Sequence, residues 1–250
     1  MEVKMNKIVK WMLVIVLLLL LVILAPDLCG QDRADLLVKI DRYRMVAGSF
    51  NMDVRMQDFD GDTLKEEAVF RGFFSGDDRS LLICESGKNK GIKVLMKGDD
   101  MWVNLSGSKR ALRITPMQRL MGEAANGDVA KVSFNRDYTG TLLGDEGNLL
   151  KLELKAKSAG ATYQRVLLYA DKKTYQPVRA EFFLLSGKHF KTAYYQEGTM
   201  ADGRAAVLKM RIEDKLNPQR YTVMENLNFK PRQFPEKYFN VMYLPQIEVD

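Results

Sequence analysis

The sequence predicts a mainly β fold, an antiparallel meander with a small helical component, and three observations carry that prediction. Apolar and polar residues alternate over short runs, most clearly where Leu150, Leu152 and Leu154 interleave with Lys151, Glu153 and Lys155, and again at Leu208, Met210 and Ile212. Period-two alternation buries one face of a strand and wets the other. Turn-forming clusters separate such runs, among them Gly76-Asp77-Asp78, Gly87-Lys88 and Gly98-Asp99-Asp100, residue types that reverse a chain at low steric cost. Helical spacing carries two stretches past residue 30, Gln31 to Val46 and Pro116 to Gly122.

Taken in order, the chain of 250 residues starts with Lys4, Lys7 and Lys10, followed by an uncharged run from Trp11 to Pro26. A charged start and an apolar centre shorter than the roughly 20 residues of a spanning helix are the marks of a secretion signal. Residues 1–30 are therefore read as that signal, with a retained N-terminal membrane anchor as the alternative, because cleavage after Gly30 would put Leu28 where a small residue is preferred. Cys29 raises lipidation as a minority case, against which Pro26 and Leu28 stand. With Cys29 removed or modified, Cys84 is alone and is read as a small buried hydrophobe. Residues 31–250 are expected to form a single domain, a length that an all-β domain routinely uses.

Leu36, Leu37, Ile40 and Tyr43 share one face of a helix expected over about Arg33 to Val46. From Ser49 the period becomes two: Phe50, Met52, Val54 and Met56 form one face, and after the turn Asp58 to Asp62, Ala68, Phe70, Gly72 and Phe74 form the next. Those aspartates lack the glycine and carboxylate spacing of an EF-type calcium loop, so a hairpin is expected. Further strands follow at Arg79–Glu85, Gly91–Lys97, Met101–Leu105 and Ala111–Ile114. Thr115 can cap a helix with Pro116 at its first position, and Met117, Leu120 and Met121 recur at helical spacing before Gly122. A short helical flap is expected there. Ala124 to Ser133 is small and polar, a loop in composition. Strands resume from Tyr138 and continue to Asn228, giving about eleven in all, and Pro235 to Leu244 closes as a short helix or irregular segment.

The ordered set Lys93, Gly98, Met101, Trp102, Arg113, Ile114, Pro116, Gln118, Arg119, Gly122, Asn126, Asp128 and Tyr138 resembles the outer-membrane lipoprotein-sorting family of periplasmic proteins. Pro177 to Gly187 and Phe234 to Leu244 extend the resemblance over most of residues 31–250. It implies a strongly curved antiparallel sheet forming an incomplete barrel, closed on one side by helices around an apolar cavity for acyl chains. It also implies a monomer whose partners are lipid or lipoprotein acyl chains, with an inner-membrane exporter complex and an outer-membrane acceptor as further candidates. Under that resemblance Phe50, Met52, Phe70, Phe74, Trp102, Leu152 and Leu154 are expected to line the cavity, and Met117, Leu120 and Met121 to form the lid. Read without it, the same residues are an ordinary core.

Catalysis finds little support. His189 is the one histidine, so no site with two or three histidine ligands can form, and no metal or cofactor is expected. A serine hydrolase would need Ser186 or Ser80 beside His189, a geometry that spacing does not fix. The net charge of +6 is spread through Lys88, Lys90, Lys93, Lys109, Lys155 and Lys172. That pattern is a solvated face with a weak attraction to anionic lipid head groups, not a nucleic-acid footprint. The expected function is a non-catalytic periplasmic carrier or chaperone. Alternatives are an envelope module that docks on an exporter and, behind it, a lipid hydrolase.

Overall fold

A computed structural model of the protein describes residues 36–44, 48–131, 133–200 and 202–248. Its frame is one antiparallel sheet of thirteen strands, in the order β6-β5-β4-β3-β2-β1-β15-β14-β13-β12-β11-β10-β9. The first half comprises β1 (Ser49–Asp60), β2 (Thr63–Ser75), β3 (Arg79–Cys84), β4 (Lys93–Lys97), β5 (Asp100–Asn104) and β6 (Leu112–Ile114). The second comprises β9 (Tyr138–Glu146), β10 (Leu149–Ala156), β11 (Arg165–Asp171), β12 (Pro177–Phe183), β13 (His189–Thr199), β14 (Ala205–Asp214) and β15 (Arg220–Pro231). Each half is a meander, and pairing of the first strand with the last joins them, Phe50 opposite Pro231 and Asp60 opposite Arg220. β6 and β9 remain unpaired with each other, so the curved sheet is an incomplete barrel.

Alternation decides what each face holds. Phe50, Met52, Val54 and Met56 of β1 are buried with Phe70 and Phe74 of β2, Leu152 and Leu154 of β10, and Ile212 of β14 in one large inner cluster. On the opposite face, Phe73, Leu81, Ile83 and Leu95 pack under Phe239, Leu244 and Ile247. The chain after β15 thus returns across the outside of β2–β5 through two 3-10 turns, Glu236–Phe239 and Leu244–Gln246. Covering an outer face that is itself apolar is how a sheet buried on both sides avoids an exposed patch.

The interior is filled by chain segments. Residues 36–41 form a helix, α1, with Leu37 and Ile40 buried against the sheet; the expected helix also extended over positions outside the described residues. Between β6 and β9 the chain forms β7 (Arg119–Met121), β8 (Ala124–Ala125), α2 (Asn126–Ala130) and α3 (Phe134–Asp137). The helical part of the flap therefore lies downstream of the expected place. Over Pro116 to Gly122 the Gln118 N–H donates to the Thr115 carbonyl at 3.1 Å and the Thr115 N–H to Gln118 Oε1 at 2.9 Å, closing a turn that leads into the β7–β8 hairpin. A helix this short has too few internal bonds to repay its nucleation, whereas the hairpin buries Met121. Gly122 turns it at φ +53, where a Cβ would lie 2.2 Å from Asp58 Oδ1.

The stretch read as a polar loop, Ala124 to Ser133, is the plug of the barrel. Ala124, Ala125, Val129 and Ala130 are buried in the inner cluster. Small side chains let the backbone sit close against the sheet; a Cβ on Gly127 would lie 1.9 Å from Thr162 Oγ1. The aspartate turn after β1 is a hairpin, as expected, with Gly61 at φ +57.

Candidate functional site

The plug meets the interior through two kinds of contact. On one flank they are charged. Asp128 of α2 accepts from Lys191 Nζ of β13 at 2.6 Å, from the Tyr163 hydroxyl at 2.9 Å and from the Ala125 N–H at 2.8 Å. Lys191, 2% exposed, also donates to the Glu123 carbonyl at 2.9 Å. Asp41, at the end of α1, accepts from the Ser133 hydroxyl and from the N–H groups of Phe134 and Asn135, each at 2.8 Å. The Arg44 guanidinium stacks 4.1 Å from the centre of the Phe134 ring. Lys131 lies 3.3 Å from Asp137, and the Glu123 N–H donates to Thr222 Oγ1 of β15 at 2.7 Å.

Burial dominates the titration of Asp41, Tyr163 and Tyr195. It raises the Asp41 carboxyl above its usual range, while Arg44 and the three donors pull the other way. Burial and the neighbouring Asp128 charge raise the Tyr163 phenol well above normal, and burial pushes Tyr195 up to about 12. A charge removed from water is tolerable only where partners replace its hydration. Asp128 and Asp41 have them, whereas the buried Lys131 Nζ and Glu123 Oε1 make no hydrogen bond and face the opposite charges of Asp137 and Arg220, respectively.

On the other flank the contacts are apolar and incomplete. A cleft of about 310 Å³ opens between the inner face of β2, β4, β5 and β6 and the β7–β8 hairpin. Phe70, Ile92, Val94, Val103, Leu105, Ile114 and Leu120 form its walls, with Asn89, Gln118, Arg119 and Asn126 at polar positions. Apolar walls carrying a few polar groups are the usual build of a small-ligand site.

The expected site residues separate on this geometry. Phe70 and Leu120 line the cleft. Phe50, Met52, Phe74, Leu152 and Leu154 face inward and are covered by the plug and α1, each at most 4% exposed. Met121 is buried under the hairpin, and Met117 is 42% exposed at its turn. Trp102 is corrected to the outer face: it pairs across from Leu95 and packs with the outer cluster. The reason is parity, since Met101 and Val103 on either side of it belong to the inner cluster.

The residues missed by sequence reasoning are the polar ones. Lys191 occupies the same strand parity as buried Ala193 and Tyr195, so a lysine in core phase was the available signal. Asp41 likewise shares the helix face of Leu37. His189 contacts the Lys191 carbonyl and the Thr192 hydroxyl and stacks on Phe183. Ser80 donates to the Ala130 carbonyl at 3.1 Å, and Ser186 accepts from the Lys188 N–H. Among the described residues, no group of three or more histidine, cysteine or carboxylate side chains could hold a metal ion, and no helix is long and apolar enough to cross a membrane.

Comparison with known proteins places this arrangement. A family model described only as an uncharacterized-protein-like family matches residues 76–246. The crystal structure of a LolA superfamily protein from Nitrosomonas europaea is similar with a TM-score of 0.77 and 29% identity, over 85% of this chain and 99% of that one. A putative outer membrane lipoprotein-sorting protein domain from Vibrio parahaemolyticus shares the fold at TM-score 0.71 and 18% identity, over 86% and 99% of the two chains. A DUF1329 family protein from Desulfovibrio piger does so at 0.70 and 23%, over 86% and 98%. No curated protein sequence matches the chain.

Proposed function

The chain belongs to the uncharacterized-protein family whose model spans residues 76–246, and from that premise we propose that it is a non-catalytic periplasmic carrier or chaperone for acyl chains. The apolar cleft between β2–β6 and the β7–β8 hairpin is the observation that carries this reading. The lipoprotein-sorting fold of its structural relatives supports it. An acyl chain entering the cleft would lie along Val94, Val103 and Ile114 with Leu120 over it. Each methylene removed from water contributes about 0.8 kcal/mol. Larger cargo would require the plug to move, which means separating Lys191 from Asp128 and Asp41 from the start of α3. Release toward an outer-membrane acceptor would be helped by closure of the same contacts. Export by residues 1–30, cleaved, retained or lipidated at Cys29, belongs to the same proposal.

The filled interior favours one second reading, a sheet module that docks on an envelope complex without carrying lipid. Mass spectrometry of organic extracts from the exported, purified protein separates the two. Stoichiometric phospholipid or acylated peptide is expected. A protein that is empty and takes up no fluorescent fatty acid would overturn the carrier reading in favour of the docking module.

A further inference from the structure

Three segments that are far apart in the chain meet at the mouth of the cleft. They are the β3–β4 turn, the β5–β6 turn and the approach to the β7–β8 hairpin. Asn89, Leu105 and Arg119, one from each, line the same opening. The two turns are in contact, since a Cβ on Gly91 would lie 2.8 Å from Ser106 Oγ. Their charge is one-sided. No Asp or Glu occurs from Ser86 to Lys97 or from Met101 to Gly122, while Lys88, Lys90, Lys109, Arg110 and Arg119 are all exposed.

Several surface arginines elsewhere do have carboxylate partners. Arg55 lies on Glu225, Arg165 on Glu153, Arg204 on Asp202 and Arg211 on Glu213. Even Arg113, on the outer face of the neighbouring β6, is held by Asp100. Among the described residues, none of the five cations around the mouth has a carboxylate partner. Apolar side chains neighbouring them in the chain are also exposed: Leu105 is 47% exposed, Leu112 54% and Met117 42%.

We propose that the mouth of the cleft is a docking surface for an anionic lipid bilayer, with Leu105, Leu112 and Met117 entering the head-group region and the five cations lying over lipid phosphates. Charge complementarity selects the partner's sign, because an unneutralised cationic rim gains from an anionic surface and loses that gain as salt rises. The exposed apolar side chains select a bilayer over an acidic protein or a polyanion. Long lysine and arginine stems can lie along the apolar boundary with their charges in the head-group layer. Docking in this orientation opens the cleft toward the membrane. The inference goes beyond the carrier reading and requires only the surface itself.

The test is co-sedimentation of the exported, purified protein with phosphatidylcholine vesicles that contain or lack phosphatidylglycerol. Binding is expected to the anionic vesicles, weakening with added sodium chloride. Since each cation near such a surface is worth about fivefold in partitioning, the Lys109→Gln/Arg110→Gln variant should bind on the order of tenfold or more weakly. The Leu112→Ser/Met117→Ser variant should bind less while keeping the salt dependence. Equal binding to both vesicle types overturns the proposal, as does an unaltered Lys109→Gln/Arg110→Gln variant. Binding to polyglutamate as tight as to vesicles, unaffected by Leu112→Ser/Met117→Ser, overturns it in favour of an acidic protein partner. Fluorescent fatty acid uptake, read in parallel, should be unchanged in Lys109→Gln/Arg110→Gln. Uptake absent from the wild type while vesicle binding persists would sink the carrier reading and leave the docking surface standing.

Discussion

The plug's two flanks are built from opposite chemistry. Toward α1, β13 and β15 it is held by buried, hydrogen-bonded charges, Lys191 with Asp128 and Asp41 with its three donors. Toward β2 and β4–β6 it faces mostly apolar side chains, with Asn89 among them, across a cleft that they do not fill. A hydrogen-bonded buried charge tolerates little displacement, because half-broken it costs more than an apolar contact of the same size. Apolar contacts are non-directional and can exchange one methylene for another. The charged flank is thus the fixed attachment, and the apolar flank is the side on which the proposed carrier would take its guest.

The largest effect should come from breaking the fixed side. Asp128→Ala leaves Lys191 buried without its counter-charge and should cost about 3–5 kcal/mol in denaturant unfolding. The double replacement Asp128→Leu/Lys191→Met should recover most of that loss; if it does not, the pair is not the main attachment. Next, Gly127→Ala drives a methyl into Thr162, and overpacking of this kind costs about 1–3 kcal/mol. No change in stability would mean that the plug can move away from Thr162 more easily than its packing implies.

A pH series sharpens the same contrast, because the raised tyrosines Tyr163 and Tyr195 line the charged flank. Their contribution is fully present below the unfolded phenol value of about 10 and is lost as pH rises through the folded values, about 12 for Tyr195. Alkaline unfolding should therefore accompany late phenolate absorbance; early, independent ionisation would contradict their burial. On the apolar flank, Leu120→Glu should weaken fatty acid uptake while shifting stability by only about 0.5 kcal/mol, as for a partly exposed site. Trp102→Phe, on the outer face, should leave uptake unaltered, and a loss there would break the assignment of faces.

Much of the frame was legible because strand alternation is a local signal. Leu150, Leu152 and Leu154 fall inward as their pattern requires, and the sheet reaches thirteen strands. Trp102 shows where aromatic character misleads and parity does not. The plug was harder to read, because Ala124 to Ala130 has the composition of a loop and is buried only by what surrounds it. Small residues there serve close approach, a tertiary requirement with no period of its own. The five cations of the cleft mouth are scattered from Lys88 to Arg119 in sequence, and only the meeting of three turns gathers them.

The joining of β1 to β15 has a kinetic consequence. Ser49–Asp60 has one sheet neighbour in β2 until Arg220–Pro231 has been synthesised. Contacts so distant in sequence are slow to form, since closing long loops costs entropy before any pairing repays it. A growing chain therefore leaves the two halves of the sheet unjoined until β15 is available to pair with β1.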